Sequence, residues 1–216
     1  MKENIIELIK KHKLIAIIRG VDSEDLVPLC QALYDGGVRL AEVTFTAGGS
    51  KDEETAKNIG LLAEKFEGKL SVGAGTVTTE RQVELTYEAG GQFIISPNTV
   101  EAVIRKTTEL GLVSIPGALT PSEIYEAHSF GADFVKLFPA GNLGTSYIKA
   151  VAAPLSNIPL LAVGGVDLDN IREYMKTGIC GVGIGTNIIR KSLIKAKDFD
   201  TIINLAKEYT ECLKNF

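Results

Sequence analysis

The stretch Asp133-Phe134-Val135-Lys136-Leu137-Phe138-Pro139 places a lysine in the middle of an apolar run that is typical of a buried strand. Lysine is rarely buried without a specific reason. If other strands enclose this one, burial disfavours the ammonium form and lowers the lysine pKa from its ordinary value of about 10.4. A partly neutral amine attacks carbonyl carbons and forms a Schiff base with them. The stretch therefore predicts a barrel strand that carries a nucleophile, Lys136.

The pattern around this stretch recurs along the chain as a short apolar run, a loop and a stretch with helical spacing. The first run, Leu14–Ile18, is followed by Arg19-Gly20 and by a helix that starts at Asp22-Ser23. Strand candidates lie at 14–20, 39–45, 70–74, 92–95, 112–115, 133–138, 160–163 and 180–184, and helical stretches include 99–109, 121–130 and 198–213. Since the runs start roughly 24 residues apart without a shared consensus, the chain is a βα repeat and not a solenoid.

Eight βα units with no change in composition between them predict an α/β fold, a closed (β/α)8 TIM barrel that forms a single domain over residues 1–216. Residues 1–9 carry acidic side chains inside an apolar pattern, which predicts an extra N-terminal helix before the first strand. The alternative is an open doubly wound sheet. Against it, no G-x-G-x-x-G motif follows the first strand, and no G-x-x-x-x-G-K-[ST] motif occurs.

Composition and charge restrict the partners of this chain of 216 residues. It is 45% hydrophobic and 23% charged with a formal net charge of −4, so it carries no basic footprint for nucleic acid. No apolar run is long enough to cross a membrane. The three cysteines form no C-x-x-C pair, and no His and Cys cluster has metal-ligand spacing at the strand ends. We therefore expect a cytoplasmic protein without metal or organic cofactor, whose partner is a small molecule.

A second candidate catalytic side chain follows from the alternation along the second strand, Arg39-Leu40-Ala41-Glu42-Val43-Thr44-Phe45-Thr46. The apolar positions 41, 43 and 45 share one face, which we assign to the surrounding helices, so that Glu42 points into the barrel. Alternate strands contribute to a common interior layer, and the second and sixth strands therefore place Glu42 and Lys136 in one cavity. There a carboxylate moves the protons that imine chemistry requires. The alternative is a buried ion pair that only sets strand register.

Glycine-rich loops follow the seventh and eighth strands. The two segments are Leu161-Ala162-Val163-Gly164-Gly165-Val166-Asp167 and Gly181-Val182-Gly183-Ile184-Gly185-Thr186-Asn187. Barrel phosphate sites are frequently built from these two loops, whose backbone N–H groups and nearby helix N-terminus accept an anion, and Thr186 adds a hydroxyl. Tight turns also require glycine, so each loop alone is weak evidence. Together the two loops predict a phosphate site.

Three other strand ends carry polar or rigid groups. Arg19 ends the first strand and suits a carboxylate or phosphate in fork geometry, unless it forms a surface salt bridge. Thr76 follows the third strand, where it either donates a hydrogen bond to a substrate carboxylate or caps the next helix. Pro97 at the end of the fourth strand and Phe138 at the end of the sixth are expected to line the pocket.

These motifs together resemble the class I aldolases that cleave 2-keto-3-deoxy-6-phosphogluconate, its galactonate epimer or 4-hydroxy-2-oxoglutarate. The resemblance covers nearly the whole chain, from about Leu14 to Arg190. It rests on segments that occur in this order: Ile15-Ala16-Ile17-Ile18-Arg19-Gly20, Glu42-Val43-Thr44, Gly73-Ala74-Gly75-Thr76-Val77, Ile95-Ser96-Pro97-Asn98, Ile115-Pro116-Gly117, Lys136-Leu137-Phe138-Pro139 and Gly164-Gly165.

The resemblance implies reversible cleavage of a 2-keto-3-deoxy-6-phospho sugar acid to pyruvate and glyceraldehyde 3-phosphate, and it extends to cleavage of 4-hydroxy-2-oxoglutarate to pyruvate and glyoxylate. It implies that Lys136 forms the Schiff base with the pyruvate portion, that Glu42 is the general acid and base, and that Thr76 holds the pyruvate carboxylate. The implied distal phosphate site consists of Gly164, Gly165 and Thr186. Members of the family are typically homotrimers, so a homotrimer is expected.

Two departures from the family pattern bear on the substrate. Gluconate-type members carry an arginine four residues after the catalytic glutamate, whereas this chain has Thr46, and Arg19 is the candidate replacement, as in galactonate-type members. Val163 stands where gluconate-selective members carry a threonine whose hydroxyl contacts the C4–C5 region of the substrate. Both departures favour the galactonate epimer or a relaxed enzyme.

Two other functions stay open on the sequence alone. One is a phosphate-binding barrel isomerase or synthase that uses the same anion site without an imine. The other is a ligand-binding barrel that has lost catalysis because Thr46 replaces the arginine.

Overall fold

The computed structural model describes residues 2–216 and consists of a parallel sheet surrounded by helices. The strands are β1 (Leu14–Ile18), β2 (Leu40–Thr44), β3 (Ser71–Gly75), β4 (Phe93–Ile95), β5 (Val113–Ile115), β6 (Gly117–Ala118), β7 (Val135–Leu137), β8 (Leu160–Val163) and β9 (Gly181–Ile184). The helices are α1 (Lys2–His12), α2 (Ser23–Asp35), α3 (Asp52–Lys65), α4 (Glu80–Glu88), α5 (Glu101–Glu109), α6 (Pro121–Ser129), α7 (Ala140–Ala152), α8 (Ile171–Met175), α9 (Lys191–Lys195) and α10 (Phe199–Leu213).

The nine strand segments form one sheet that closes into a barrel of eight strands. β1 pairs in parallel with both β2 and β9, and the order of the sheet begins at β5 and ends at β6. β5 and β6 are separated only by Pro116, which interrupts the strand because proline has no N–H group. The Pro116 carbonyl accepts the Lys136 N–H at 2.8 Å, so the two halves act as one strand beside β7. The predicted (β/α)8 barrel is confirmed.

The helices pack on the outward side chains of the strands. On β2, Ala41 and Val43 belong to the large core between the sheet and the helices, and so does Phe45 just after the strand. α10 packs against α2 and β1 and closes the ring of helices, as predicted. Its buried residues recur every three or four positions and are Ile202, Ala206, Tyr209 and Leu213. Within residues 2–216, no helix combines the length and the apolar character needed to span a membrane.

The lower half of the barrel interior is an apolar core that α1 closes. Ile5 and Ile9 lie one turn apart on α1 and are both buried. They pack with side chains from the strands and their approaches, namely Ile15, Leu40, Phe93, Ile95, Val113, Ile115, Phe134 and Leu161. The Lys2 Nζ atom lies 2.9 Å from Asp133 Oδ2 and attaches the helix start to the approach of β7. The predicted extra helix is therefore confirmed, although Met1 lies outside the described residues, and only the opposite end of the barrel stays open.

Candidate active site

Lys136 lies at the centre of β7 on the face that points into the barrel. Phe134 precedes it on that face and belongs to the apolar core, so Lys136 is the next interior residue towards the open end. Lys136 is 7% exposed, and its Nζ atom lies 4.7 Å from the centre of the Phe138 ring, a cation–π contact. Burial lowers the Lys136 pKa, Glu42 opposes this change, and Arg19 adds to it. Lys136 therefore holds more neutral amine than a solvated lysine does.

Glu42 projects from β2 into the same space and is 2% exposed. Burial raises its pKa, while Lys136 and Arg19 oppose the increase. Its Oε2 atom is buried and has no hydrogen-bond partner within residues 2–216. A carboxyl group with a raised pKa binds and releases protons closer to neutral pH than a solvated glutamate does. Glu42 is therefore suited to general acid and base chemistry.

Lys136 and Glu42 line one cleft, as the alternation along their strands predicted. They interact electrostatically, yet among residues 2–216 they form no direct ion pair. Burial is the largest influence on both pKa values, and it drives both groups towards their neutral forms. A nucleophilic amine and a proton-carrying carboxyl group at one site are the complementary groups that carbonyl addition requires.

Two glycines of β3 make room for interior side chains of the neighbouring strands. A Cβ atom on Gly75 would lie 2.4 Å from Glu42 Oε1, and one on Gly73 would lie 2.4 Å from the Phe93 ring. Any other residue at position 75 would thus displace the carboxyl group. No role for Gly75 followed from the sequence, although its spacing of two from Gly73 places both on one face of the strand.

Arg19 and Thr76 meet at the open end of the barrel. Arg19 Nη2 donates to Thr76 Oγ1 at 3.1 Å. Thr76 has a φ of 59°, a left-handed conformation that is rare for β-branched residues and is found preferentially at functional sites. Thr79, and not Thr76, is the N-cap of α4 and accepts from the Gln82 N–H, so the capping alternative for Thr76 is wrong. Arg19 forms no salt bridge with any residue from 2 to 216, so that alternative is wrong as well.

The open end of the barrel holds a cleft of about 300 Å³. Its lining includes Arg19, Glu42, Thr76, Pro97, Lys136, Phe138, Val163, Gly164, Gly165 and Thr186. Thr46 is the one predicted site residue outside this cleft: it is exposed after β2 and lines a separate polar groove with Lys51 and Asn58. The structure thus groups Arg19, and not Thr46, with Thr76. Among residues 2–216, no group of three or more His, Cys, Asp or Glu side chains is placed to hold a metal ion.

An apolar wall of the cleft comes from two branched side chains. A Cβ atom on Gly183 would lie 2.9 Å from Val163 Cγ2 and 3.3 Å from Ile17 Cδ1, so Val163 and Ile17 converge over Gly183. Ile17 was missed at the level of sequence. It lies in the same interior row of β1 as Ile15, and the period of two along that strand is the signal that identifies it.

The loops after β8 and β9 form one side of the cleft mouth. Gly164 and Gly165 have φ values of 85° and 78°, which favour glycine. A Cβ atom on Gly165 would lie 2.7 Å from Gly141 Cα at the start of α7, so the close packing of these two backbone segments also requires glycine. Within residues 2–216, the backbone N–H groups of Gly165 and Thr186 donate to no protein acceptor. Two free N–H groups at a loop mouth suit an anion.

The sequence matches a family model described as "Aldolase: KDPG and KHG aldolase" over residues 5–205. The 2-dehydro-3-deoxy-6-phosphogalactonate aldolase of Escherichia coli (strain K12) is 30% identical over 205 residues, which cover 94% of this chain and 98% of that protein. The 2-dehydro-3-deoxy-phosphogluconate aldolase of Haemophilus influenzae is 31% identical over 214 residues, which cover 98% of each chain.

A solved structure with the same fold contains a trapped reaction intermediate. The crystal structure of KDPG aldolase from Legionella pneumophila, with pyruvate captured as a covalent carbinolamine, matches with a TM-score of 0.84 and 28% identity. The match covers 94% of this chain and 96% of that one. These similarities do not favour a barrel isomerase or synthase without an imine, and they do not favour a non-catalytic barrel.

Proposed function

This chain belongs to the KDPG and KHG aldolase family and is a lyase, and we propose that it cleaves a 2-keto-3-deoxy-6-phospho sugar acid through an imine on Lys136. The observation that carries the proposal is the occurrence in one cleft of a buried amine with a lowered pKa and a buried carboxyl group with a raised pKa. The products are pyruvate and glyceraldehyde 3-phosphate, and the reaction is reversible.

In the proposed reaction, the neutral Lys136 Nζ attacks the C2 carbonyl carbon and gives a carbinolamine. Glu42 protonates the departing hydroxyl, water leaves, and an iminium ion remains. Glu42, now a carboxylate, takes the proton of the C4 hydroxyl, the C3–C4 bond breaks, and its electron pair moves into the iminium to give an enamine while the aldehyde leaves. Protonation at C3 and hydrolysis of the imine release pyruvate and regenerate the free amine of Lys136.

Arg19 and Thr76 are the proposed partners of the substrate carboxylate. A guanidinium group offers parallel N–H donors to a carboxylate, and the hydrogen bond from Arg19 to Thr76 keeps the two side chains together. Thr46 lines the neighbouring groove and not the active-site cleft. We therefore assign the binding of the substrate carboxylate to Arg19 and not to position 46. Arg19 also lowers the Glu42 pKa, and a bound carboxylate that offsets this charge keeps Glu42 proton-bearing for the dehydration step.

The loops after β8 and β9 are the proposed phosphate site. The free N–H groups of Gly165 and Thr186 and the Thr186 hydroxyl are donors for a phosphate group. Gly164 gives the loop its left-handed turn. Val163 presents methyl groups to the cleft beside these loops, where it offers no hydrogen bond to a substrate hydroxyl. This supports the galactonate epimer, or both epimers, as substrates.

Reductive trapping tests the imine. Pyruvate with borohydride is expected to add one reduced pyruvyl group, and peptide mass spectrometry is expected to find it on Lys136. Borohydride without pyruvate is the control. Absence of the adduct, or an adduct on another lysine, would overturn the mechanism.

Substrate preference is tested by kcat/KM for the two epimers and for 4-hydroxy-2-oxoglutarate. We expect Val163→Thr to move the ratio of the epimers towards gluconate, because the hydroxyl of threonine replaces a methyl group at nearly constant volume. An unchanged ratio would remove Val163 from the determinants of selectivity and leave the imine mechanism intact.

We also propose that the protein is a cytoplasmic homotrimer. Leu119 and Tyr125 expose apolar surface at the loop before α6 and on α6 itself, and this surface is available for contact between copies. Sedimentation equilibrium at three times the chain mass of 23.1 kDa is the expected result, and a monomer would contradict it.

A further inference from the structure

A second cleft, which we call the basal cleft, lies at the end of the barrel opposite the active site. Its volume is about 360 Å³, compared with about 300 Å³ for the active-site cleft. Its walls come from the end of α1, the turn between α2 and β2, and the second half of α10. The charged and polar residues that line it are Lys11, His12, Asp35, Arg39, Lys207, Thr210, Glu211 and Lys214.

The basal cleft is rich in cations although the whole chain has a net charge of −4. Its lining contains four lysine and arginine residues and two acidic residues. Both acids already have partners, since Asp35 Oδ1 accepts from Gln31 Nε2 at 2.8 Å and Glu211 Oε1 accepts from Lys214 Nζ. The lining lysines and arginine that have no acidic partner within residues 2–216 are Lys11, Arg39 and Lys207.

Arg39 is held in a fixed orientation at this cleft. Its Nη1 atom donates to Tyr34 O at 2.9 Å and to Val38 O at 2.7 Å. Its Cζ atom lies 4.2 Å from the centre of the Tyr34 ring. The Arg39 Nε and Nη2 groups donate to no acceptor among residues 2–216. An immobilised guanidinium with free donors is a preferred partner of phosphate.

Basic residues commonly neutralise helix C-termini, and α1, α2 and α10 all end beside the basal cleft. Other contacts already satisfy the C-terminal carbonyl groups of α1 and α2. At the end of α1, Lys13 Nζ donates to Lys10 O at 2.6 Å. At the end of α2, Arg39 Nη1 donates to Tyr34 O. Lys207 lies well before Leu213, the last residue of α10, so the dipole of that helix does not account for it.

The positive charge of the basal cleft affects the pKa of His12. Burial is the largest cause that lowers the His12 pKa, and Lys11, Arg39 and Lys13 lower it further. The two lining acids do not cancel this effect. The basal cleft therefore has a positive potential that a bound anion would relieve.

We propose that the basal cleft binds a small molecule that carries a phosphate or diphosphate group. Lys11 on α1 and Lys207 on α10 line the cleft, and Arg39 supplies the fixed donors. The volume falls in the range of about 300–1,000 Å³ that small-molecule sites occupy. Because Lys11, Arg39 and Lys207 line one cleft of a chain whose net charge is −4, a compact anion fits this charge distribution better than nucleic acid does.

Histidine NMR tests the proposal at the site itself, because the chain has only two histidines and His128 serves as an internal reference. Inorganic pyrophosphate is expected to raise the His12 pKa saturably by about 1, since an anion favours the charged ring. Sodium chloride at equal ionic strength controls for screening. The charged groups around His12 are Lys11, Lys13, Asp35, Arg39, Lys207, Glu211 and Lys214. A pyrophosphate response no larger than the chloride response would overturn the proposal.

A pair of double variants separates the basal cleft from a general effect of charge. Lys11→Gln with Lys207→Gln is expected to weaken the pyrophosphate response of His12 at least tenfold. Lys57→Gln with Lys65→Gln removes the same charge from exposed positions of α3, and Lys65, like Lys11, lies in the last turn of its helix. Equal weakening in both variants would contradict the proposal. If the first variant does not fold, the wild-type comparison of pyrophosphate with chloride decides.

Discussion

The two halves of the barrel interior are built by the same strands from opposite chemistry. β2 places Leu40 in the lower half and Glu42 in the upper half, and the segment entering β7 places Phe134 below Lys136. In each case the two residues are two positions apart and share one face. One step along a strand therefore changes the interior from an apolar core to a catalytic cleft.

The difference teaches where stability and chemistry reside in this fold. Leu40 and Phe134 are fully buried and each contributes roughly 1.5–3 kcal/mol through burial of apolar surface. Glu42 and Lys136 are buried as well, but burial shifts both pKa values towards the neutral forms, which means that their charged forms destabilise the fold. The lower half stabilises a barrel whose upper half holds groups that oppose folding.

Replacing the amine is the strongest test of this contrast. We expect Lys136→Met to lower kcat/KM by on the order of 10⁴-fold or more, because no imine forms. The free energy of unfolding should rise by about 1 kcal/mol, since an apolar chain of similar length replaces a buried charge. Enzyme assays and urea unfolding measure the two effects. A variant that loses both activity and stability would show that Lys136 also supports the fold.

Removing the carboxyl group should have the next largest effect. We expect Glu42→Gln to lower kcat by roughly 10²–10⁴-fold, because the amide has the shape of the acid but cannot exchange its proton. Trapping of pyruvate on Lys136 by borohydride should persist at a slower rate, which separates proton transfer from imine formation. A wild-type kcat in this variant would remove Glu42 from the mechanism.

Gly73 and Gly75 of β3 allow the lower and upper halves of the barrel interior to be compared within one strand. Gly75→Ala is expected to displace the Glu42 carboxyl group and to lower kcat by about 10²-fold. Gly73→Ala meets the Phe93 ring instead, so it should destabilise the fold by about 1–3 kcal/mol while the folded enzyme keeps a nearly normal kcat. Unfolding curves and steady-state rates test both. Equal loss of kcat in the two variants would contradict the division of the barrel interior into a stabilising lower half and a catalytic upper half.

The smallest expected effect is on the pH dependence of stability. The Lys136 pKa is lowered on folding, so between its folded value and 10.5 the unfolded chain binds more protons and stability rises with pH. Below the folded value the lysine is charged in both states, and its full burial penalty applies. The excess stability of Lys136→Met over the wild type should therefore shrink as pH rises towards 10.5. Urea unfolding across neutral to alkaline pH measures this, and a constant difference would show that the lysine is solvated.

Much of this arrangement could be predicted from periodicity alone. A period of two assigned Glu42 and Lys136 to the interior and the apolar positions of β2 to the helices, and the βα repeat predicted the barrel that brings distant strand ends together. The same alternation also places Ile17 and Gly75 on the interior face of their strands. Their roles depend on side chains of neighbouring strands, which the alternation does not specify. Periodicity did not decide whether Thr46 or Arg19 accompanies Thr76, because each follows its strand in a loop whose course depends on packing. Only the family resemblance made Arg19 the candidate.

The sequence by itself determined which side chains face the barrel interior, because strand geometry makes that a local property of the chain. Tertiary structure alone decided how those side chains meet: that α1 closes the lower end, that Gly75 leaves room for Glu42, and that Lys11, Arg39 and Lys207 surround one cleft. These are contacts between residues far apart in the chain. They depend on distances that only the closed barrel sets, and no local pattern encodes them.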